Sequence, residues 1–154
     1  MRLLIVPHKT NEAIPYSLLL LADETQEAID KYIYESKLFY AYTKLNPIPI
    51  GVIALYQVSS SVLEIKNIAI DNQEQNKGYG KQLIDFSIQY ATENLYKELI
   101  VGTGDTSTQS INFYLKNGFQ PYNIRQNFFL ENYPFPIYEN GKQMQHMILF
   151  KRII

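Results

Sequence analysis

At 154 residues the chain is the size of a single domain (1–154) with room for a substantial core. A formal net charge of −1 offers no broad basic surface for nucleic acid, and no apolar run is long enough to span a membrane. Two histidines and no cysteine remove disulfides, thiolate metal sites and cysteine nucleophiles together, so no metal is expected and the usage fits the cytoplasm.

Residues 2–6 read as a first strand stopped by Pro7, too short for a signal segment with a cleavage site. Residues 15–21 are apolar, enough for a helical turn or two. A better helix opens at Asp23, which can cap it. Gln26 stands three residues on, as in a capping box, and Ala28, Ile29, Tyr32 and Ile33 recur at helical spacing. Residues 37–44 alternate as a strand, Asn46-Pro47-Ile48-Pro49 turns, and strands 50–58 and 63–70 follow around a serine-rich hairpin. Residues 80–95 predict a helix, with Leu83, Ile84, Phe86, Ser87, Ile88, Tyr90 and Ala91 on its apolar face. A short strand at 98–101 is expected to break at Gly102 and Gly104. Thr106 or Ser107 can cap a helix over 108–116, with Gly118 as its left-handed terminator. Two strands, 119–130 and 144–153, close the chain around a long loop, 131–141, that holds Pro134 and Pro136. The 13 tyrosines suit half-buried packing, with some free to line a pocket.

Between strand 63–70 and helix 80–95 lies Gln75-Asn76-Lys77-Gly78-Tyr79-Gly80-Lys81. Two glycines one residue apart let the backbone turn tightly and approach a ligand closely. The helix behind them aims free N–H groups and its positive dipole end into that turn. Lys77 and Lys81 either add charge there or stay as solvated helix-end residues. These are the parts of a pyrophosphate cradle that needs no metal. It is not a P-loop, lacking the Gly-Lys-Ser/Thr ending, and it lacks the third glycine of a dinucleotide fingerprint. Downstream come a strand, Asn112-Phe113-Tyr114 on a short helix, and Asn117-Gly118-Phe119.

That order, strand, Gln-x-x-Gly-x-Gly, helix, strand, Tyr-x-x-x-Gly-Phe, resembles the acetyl-CoA signature of the GNAT acetyltransferases. The ending of the chain is similar to that of an uncharacterised bacterial subgroup of them. The resemblance implies an α/β fold: a mixed, mostly antiparallel sheet of about six or seven strands flanked by helices. It implies that pantetheine pairs with the strand before the glycines, at Asn67, Ile68 and Ile70, with the pyrophosphate on residues 75–81. Ser107 stands where an asparagine often contacts CoA, and Ser110 replaces a common alanine. Tyr114, four residues before Gly118-Phe119, holds the position of the acid that protonates the leaving thiolate and leads as the catalytic candidate; helix packing with Phe113 and Leu115 is the other reading.

Glu64 leads as general base, through an ordered water, if its carboxylate faces the cleft; a cross-strand pair with a lysine is the other reading. His146 and His8 read as strand and surface residues. Phe128, Phe129 and Tyr133, with Glu131 and Glu139, suit a pocket for a cationic amine, or a loop packed over the sheet by its rings. The expected activity is acetyl-CoA-dependent N-acetylation of a small-molecule amine by direct attack in a ternary complex. A protein amine as acceptor, an acyl-CoA sensor without turnover, and a plain interaction module are the alternatives, and a homodimer stays open.

Overall fold

The computed structural model describes residues 1–154. In chain order the elements are β1 (Leu4–Pro7), α1 (Tyr16–Leu19), α2 (Gln26–Asp30), β2 (Lys37–Tyr42), β3 (Gly51–Gln57), β4 (Val62–Ile70), α3 (Tyr79–Glu93), β5 (Glu98–Gly104), α4 (Thr108–Lys116), β6 (Gln120–Arg125), α5 (Phe128–Glu131), β7 (Tyr138–Glu139), β8 (Lys142–Gln143) and β9 (Met147–Ile153). Seven strands form one sheet in the order β1-β2-β3-β4-β5-β9-β6, and β7 and β8 make a separate hairpin. Only β4 and β5 run parallel; every other neighbouring pair is antiparallel. This is the mixed, mostly antiparallel sheet flanked by helices that the sequence predicts. No helix is long and apolar enough to cross a membrane.

Strand alternation divides the core between the two faces of the sheet. Ile53 and Leu55 of β3 join Leu83, Ile84 and Ala91 of α3 and Tyr114 of α4 on one side. Val52 and Ala54 join Leu19 of α1 and Ile29 of α2 on the other.

A β-bulge then changes the parity of β4. Ile65 pairs with Leu55 and Asn67 with Ala54, so Lys66 is an extra residue on its strand. Before it, Leu63 and Ile65 face α3. After it, Ile68 and Ile70 face α3, while Asn67 and Ala69 turn toward α1. The same point ends the parallel ladder, which joins Val62 through Ile65 to Glu98 through Val101 and goes no further. Beyond it, residues 66–70 and 102–104 face each other across an open wedge.

Three expectations need correcting. Gly102 and Gly104 do not break β5, which continues to Gly104 along β9. The side chains of Met147 and Met144 fill the space that a Cβ at those glycines would take, so the glycines serve close packing. The strand expected over 119–130 stops at Arg125. Asn127 takes a left-handed φ of 57°, donates its N–H to His146 Nδ1 at 2.9 Å, and leads into α5, which carries Phe128 and Phe129. Asp23 does not cap α2; Thr25 does, its Oγ1 accepting the Ala28 N–H at 3.1 Å. Within 131–141, Asn140 and Gly141 have φ of 55° and 75°, the pair of positive angles that closes a two-residue hairpin, here β7–β8.

Candidate active site

The wedge between β4 and β5 opens into a cleft of about 850 Å³. Ile68 and Ile70 line one wall, Gly102 to Gly104 the other. Their facing backbone edges have no ladder partner, which leaves room for one more strand-like chain. The Asn67 side chain is turned away by the bulge. Its Nδ2 donates to Leu19 O at 2.9 Å and to Tyr32 Oη at 3.1 Å, so only its backbone remains for the cleft edge.

At the end of β4 the chain turns sharply and is held there. Asp71 Oδ1 accepts the Gln73 N–H at 3.0 Å, and Gln75 Nε2 donates to Ile70 O at 2.9 Å and Asn72 Oδ1 at 3.1 Å. The Gln75 side chain therefore braces the turn. Asn76 and Gly78 both take left-handed φ, 62° and 83°, with Lys77 between them. Such alternation gathers successive N–H groups into a concave nest. No side chain caps α3, and Gln82 N–H to Gly78 O at 3.3 Å opens its ladder. The N–H groups of Tyr79, Gly80 and Lys81 have no acceptor within the chain. This donor set fits a diphosphate.

The individual side chains of the loop do different work. A Cβ on Gly78 would touch nothing, so its φ is what requires glycine; a Cβ on Gly80 would sit 3.2 Å from the Phe113 ring, so that glycine lets α3 and α4 approach. The ring of Tyr79 is in the core with its Oη 3.9 Å from Met1 Sδ, which leaves only its N–H for a ligand. Lys77 Nζ pairs with Glu74 at 3.0 Å and Lys81 Nζ with Asp85 at 2.9 Å, both exposed, as solvated helix-end charges do. Ser107 neither caps α4 nor stands free, because its Oγ donates to Glu139 Oε1 at 2.5 Å.

Helix α4 presents Ser107 and Ser110 to the cleft, and Tyr114 follows one turn later on the same face. The Tyr114 ring is buried against Phe113, Phe119 and Phe150, with centroids 5.4, 5.8 and 5.9 Å away. Its hydroxyl has no hydrogen-bond partner in the chain, and burial pushes its pKa far above the ordinary tyrosine value. It is a neutral O–H, and Tyr114 is not among the residues that line the cleft.

Glu64 is buried, with 3 % of its side chain accessible. Arg125 grips it with both nitrogens, Nη2 to Oε1 at 3.0 Å and Nη1 to Oε2 at 3.2 Å, and Lys66 Nζ lies 3.4 Å from Oε1. Lys66 stands on the same strand as Glu64, so the anticipated cross-strand lysine is replaced by an arginine from β6. Glu64 and Arg125 both line the cleft.

Phe128, Phe129 and Tyr133 come together in the same cleft. Phe129 and Tyr133 stack at 5.7 Å and 19°. Tyr133 Oη donates to Asp23 Oδ1 at 2.5 Å and Tyr32 Oη donates to Oδ2 at 3.0 Å, joining the α5 side to the segment before α2. Burial first, and Asp23 beside them second, push both phenols well above the tyrosine range. Glu24 is raised above the usual carboxylate range by desolvation and by its neighbours Asp23 and Glu139. Glu139 lines the cleft; Glu131 is exposed outside it, and Asp23 and Glu24 hold the place expected for it. No group of three or more His, Cys, Asp or Glu residues is arranged to hold a metal ion.

Sequence reasoning missed Arg125, Tyr32 and the role of Asp23. Asp23 precedes Gln26 at capping-box spacing, and that local pattern masks its long-range partners. Arg125 carries no signal at all in a segment that reads as plain strand.

The Acetyltransferase (GNAT) family model matches residues 10–119. The chain is 34 % identical over 140 residues to the uncharacterized N-acetyltransferase YvbK of Bacillus subtilis (strain 168), covering 91 % of this chain and 88 % of that protein. Its fold matches the crystal structure of a GNAT family acetyltransferase from Elizabethkingia anophelis with acetyl-CoA bound, at a TM-score of 0.94 and 43 % identity over 99 % of this chain and 98 % of that one. A Bacillus subtilis acetyltransferase in complex with CoA matches at 0.89 and 31 % identity, over 99 % of each chain.

Proposed function

The chain belongs to the GNAT acetyltransferase family, and from that premise we propose that it acetylates the amine of a small molecule by direct attack, with both substrates held in the cleft at once. The observation that carries this reading is the open wedge between β4 and β5, which runs from Gln75, at the start of the turn that holds the free N–H groups, to Glu64 and the ringed, acidic pocket. Residues 75–81 hold the diphosphate through backbone N–H groups, and the β4 edge at 67–70 holds the arm. Acetyl-CoA supplies an activated acetyl carbon when bound.

Every other task falls to the chain itself. Asp23, Glu24 and Glu139 attract a cationic acceptor, while Phe128, Phe129 and Tyr133 bound its apolar part. Glu64, through a water, takes one proton from the amine nitrogen as it forms its bond to carbon. Tyr114 gives one proton to the departing sulfur, and its raised pKa keeps that proton in place at neutral pH. A cationic amine first gives one proton to solvent to free its lone pair; the neutral amine then loses one proton to Glu64 and the thiolate gains one from Tyr114, so the exchange balances once solvent resets the two side chains.

Calorimetric titration with acetyl-CoA in chelator, followed by a panel of amines read by thiol release, tests the reading. Saturable binding near micromolar affinity and release dependent on an added small amine are expected. Binding without release for every amine would replace catalysis with sensing, and release only with peptide amines would move the acceptor to protein.

A further inference from the structure

Arg125 is the cleft residue whose cost and geometry are out of proportion to a packing role. It ends β6, while Glu64 lies on β4, and β9 and β5 stand between them. Three strand spacings are about 14 Å, yet both terminal nitrogens reach the carboxylate. The route is open because Gly102 on β5 has no side chain. Met147 of β9 fills that space, and its Sδ lies 3.4 Å from Arg125 Nη1 as the guanidinium passes over it. Ion pairs away from water are often replaceable by apolar groups without loss of stability, and this one borders the cleft instead of the core.

We infer that Arg125 is a positioning residue: it fixes the Glu64 carboxylate so that one oxygen, Oε2, is left to take the amine proton. This rests on the proposed role of Glu64 as base. An ionised carboxylate offers about four lone-pair sites. The arginine fork takes one on each oxygen and sets the plane of the group. Lys66 stands at Oε1, so a free site remains on Oε2. The arginine side chain is 32 % accessible against 3 % for the glutamate, so Arg125 forms the exposed side of the pair while both residues line the cleft. A lysine in its place would keep the charge and lose the fork.

The test compares wild type with Glu64→Gln, Arg125→Gln, Arg125→Lys and the Glu64→Gln/Arg125→Gln double variant. For each, kcat is measured with an accepted amine at saturating acetyl-CoA, and acetyl-CoA affinity by calorimetry. Arg125→Met, which keeps the apolar stem along Met147, stands in if Arg125→Gln does not fold. Arg125→Gln should lower kcat about tenfold, a fraction of a general base's worth, with acetyl-CoA affinity unchanged. In the Glu64→Gln background the same change should do nothing further, and Arg125→Lys should fall between wild type and Arg125→Gln. A slow Glu64→Gln beside an Arg125→Gln at wild-type kcat overturns the role of Arg125 alone. So does an equal Arg125→Gln loss with and without Glu64, or Arg125→Lys as fast as wild type. A Glu64→Gln enzyme at wild-type kcat overturns the base itself.

Discussion

Along β4 and the turn after it, residues 66–81, the groups on offer are backbone: an unpaired strand edge, two left-handed residues and a run of N–H groups without acceptors. At the other end the walls of the cleft are side chains from separate segments, Asp23 and Tyr32 before and after α2, Glu64 on β4, Arg125 on β6, and Tyr133 and Glu139 beyond α5. Backbone donors read phosphate, which every acyl-CoA carries. On the proposed reading, side-chain rings and carboxylates select the acceptor. The first end therefore constrains φ and close approach and little else, whereas the second can change its ligand by single substitutions. Each end then has its own way to fail.

Tyr114 tests the junction of the two, and the largest effect is expected there. Tyr114→Phe should lower kcat by roughly 10- to 1000-fold, with acetyl-CoA affinity nearly intact, because it removes a general acid and keeps the ring among Phe113, Phe119 and Phe150. Stopped-flow or steady-state rates with chemistry limiting decide it; an unchanged kcat rejects the assignment. A second readout follows from linkage. Burial raises the folded pKa above the unfolded value of 10.0. Wild type keeps its stability relative to Tyr114→Phe below that pH and loses it as pH rises through the folded value, so alkaline unfolding above about pH 10 should come earlier in wild type. Identical alkaline melting of the two proteins would mean that the hydroxyl is solvated.

Gly78→Val should weaken acetyl-CoA binding about tenfold or more, near 1.4 kcal/mol. The cause is conformational: a Cβ there has open space, but φ is 83°, which a β-branched residue avoids. Lys77→Ala and Lys81→Ala, whose charges are spent on Glu74 and Asp85, should each change affinity less than about threefold. Lysine variants weaker than Gly78→Val would reverse the picture and make the diphosphate end a side-chain site too.

The same contrast explains what was legible in the sequence. The nest, the helix behind it and the strand before it are contiguous, so glycine spacing and helical periodicity reveal them together. The wedge itself is not legible, because it depends on the Lys66 bulge, and a one-residue bulge inverts which residues of 66–70 face which side. Hence the sequence does not show that the Asn67 side chain turns away to Leu19 and Tyr32 and leaves only its backbone at the cleft edge. At the acceptor end, Phe128, Phe129 and Tyr133 are visible as a cluster of rings. Their polar partners lie about a hundred residues away in sequence, and no local pattern joins Asp23 to Tyr133 or Arg125 to Glu64.

A smaller effect than at Tyr114 or Gly78, and the sharpest test of the side-chain end, is Tyr133→Phe. The substitution keeps the stack on Phe129 and removes one donor from Asp23, which retains Tyr32 Oη and the Glu24 N–H. A hydrogen bond to a charged group is worth roughly 1.5–3 kcal/mol when nothing replaces it. This pocket is open to water, which recovers most of that, so the expected loss is a rise in amine KM of about three- to tenfold. Because the bond ties the α5 side to the segment before α2, its loss should fall unequally on short and long amines. The ratio of their kcat/KM values should therefore move while acetyl-CoA affinity stays put. Competition between two accepted amines, read by product mass, measures that ratio directly. If it is unchanged while acetyl-CoA binding weakens, the bond braces the whole cleft, and the division between a backbone end and a side-chain end does not hold.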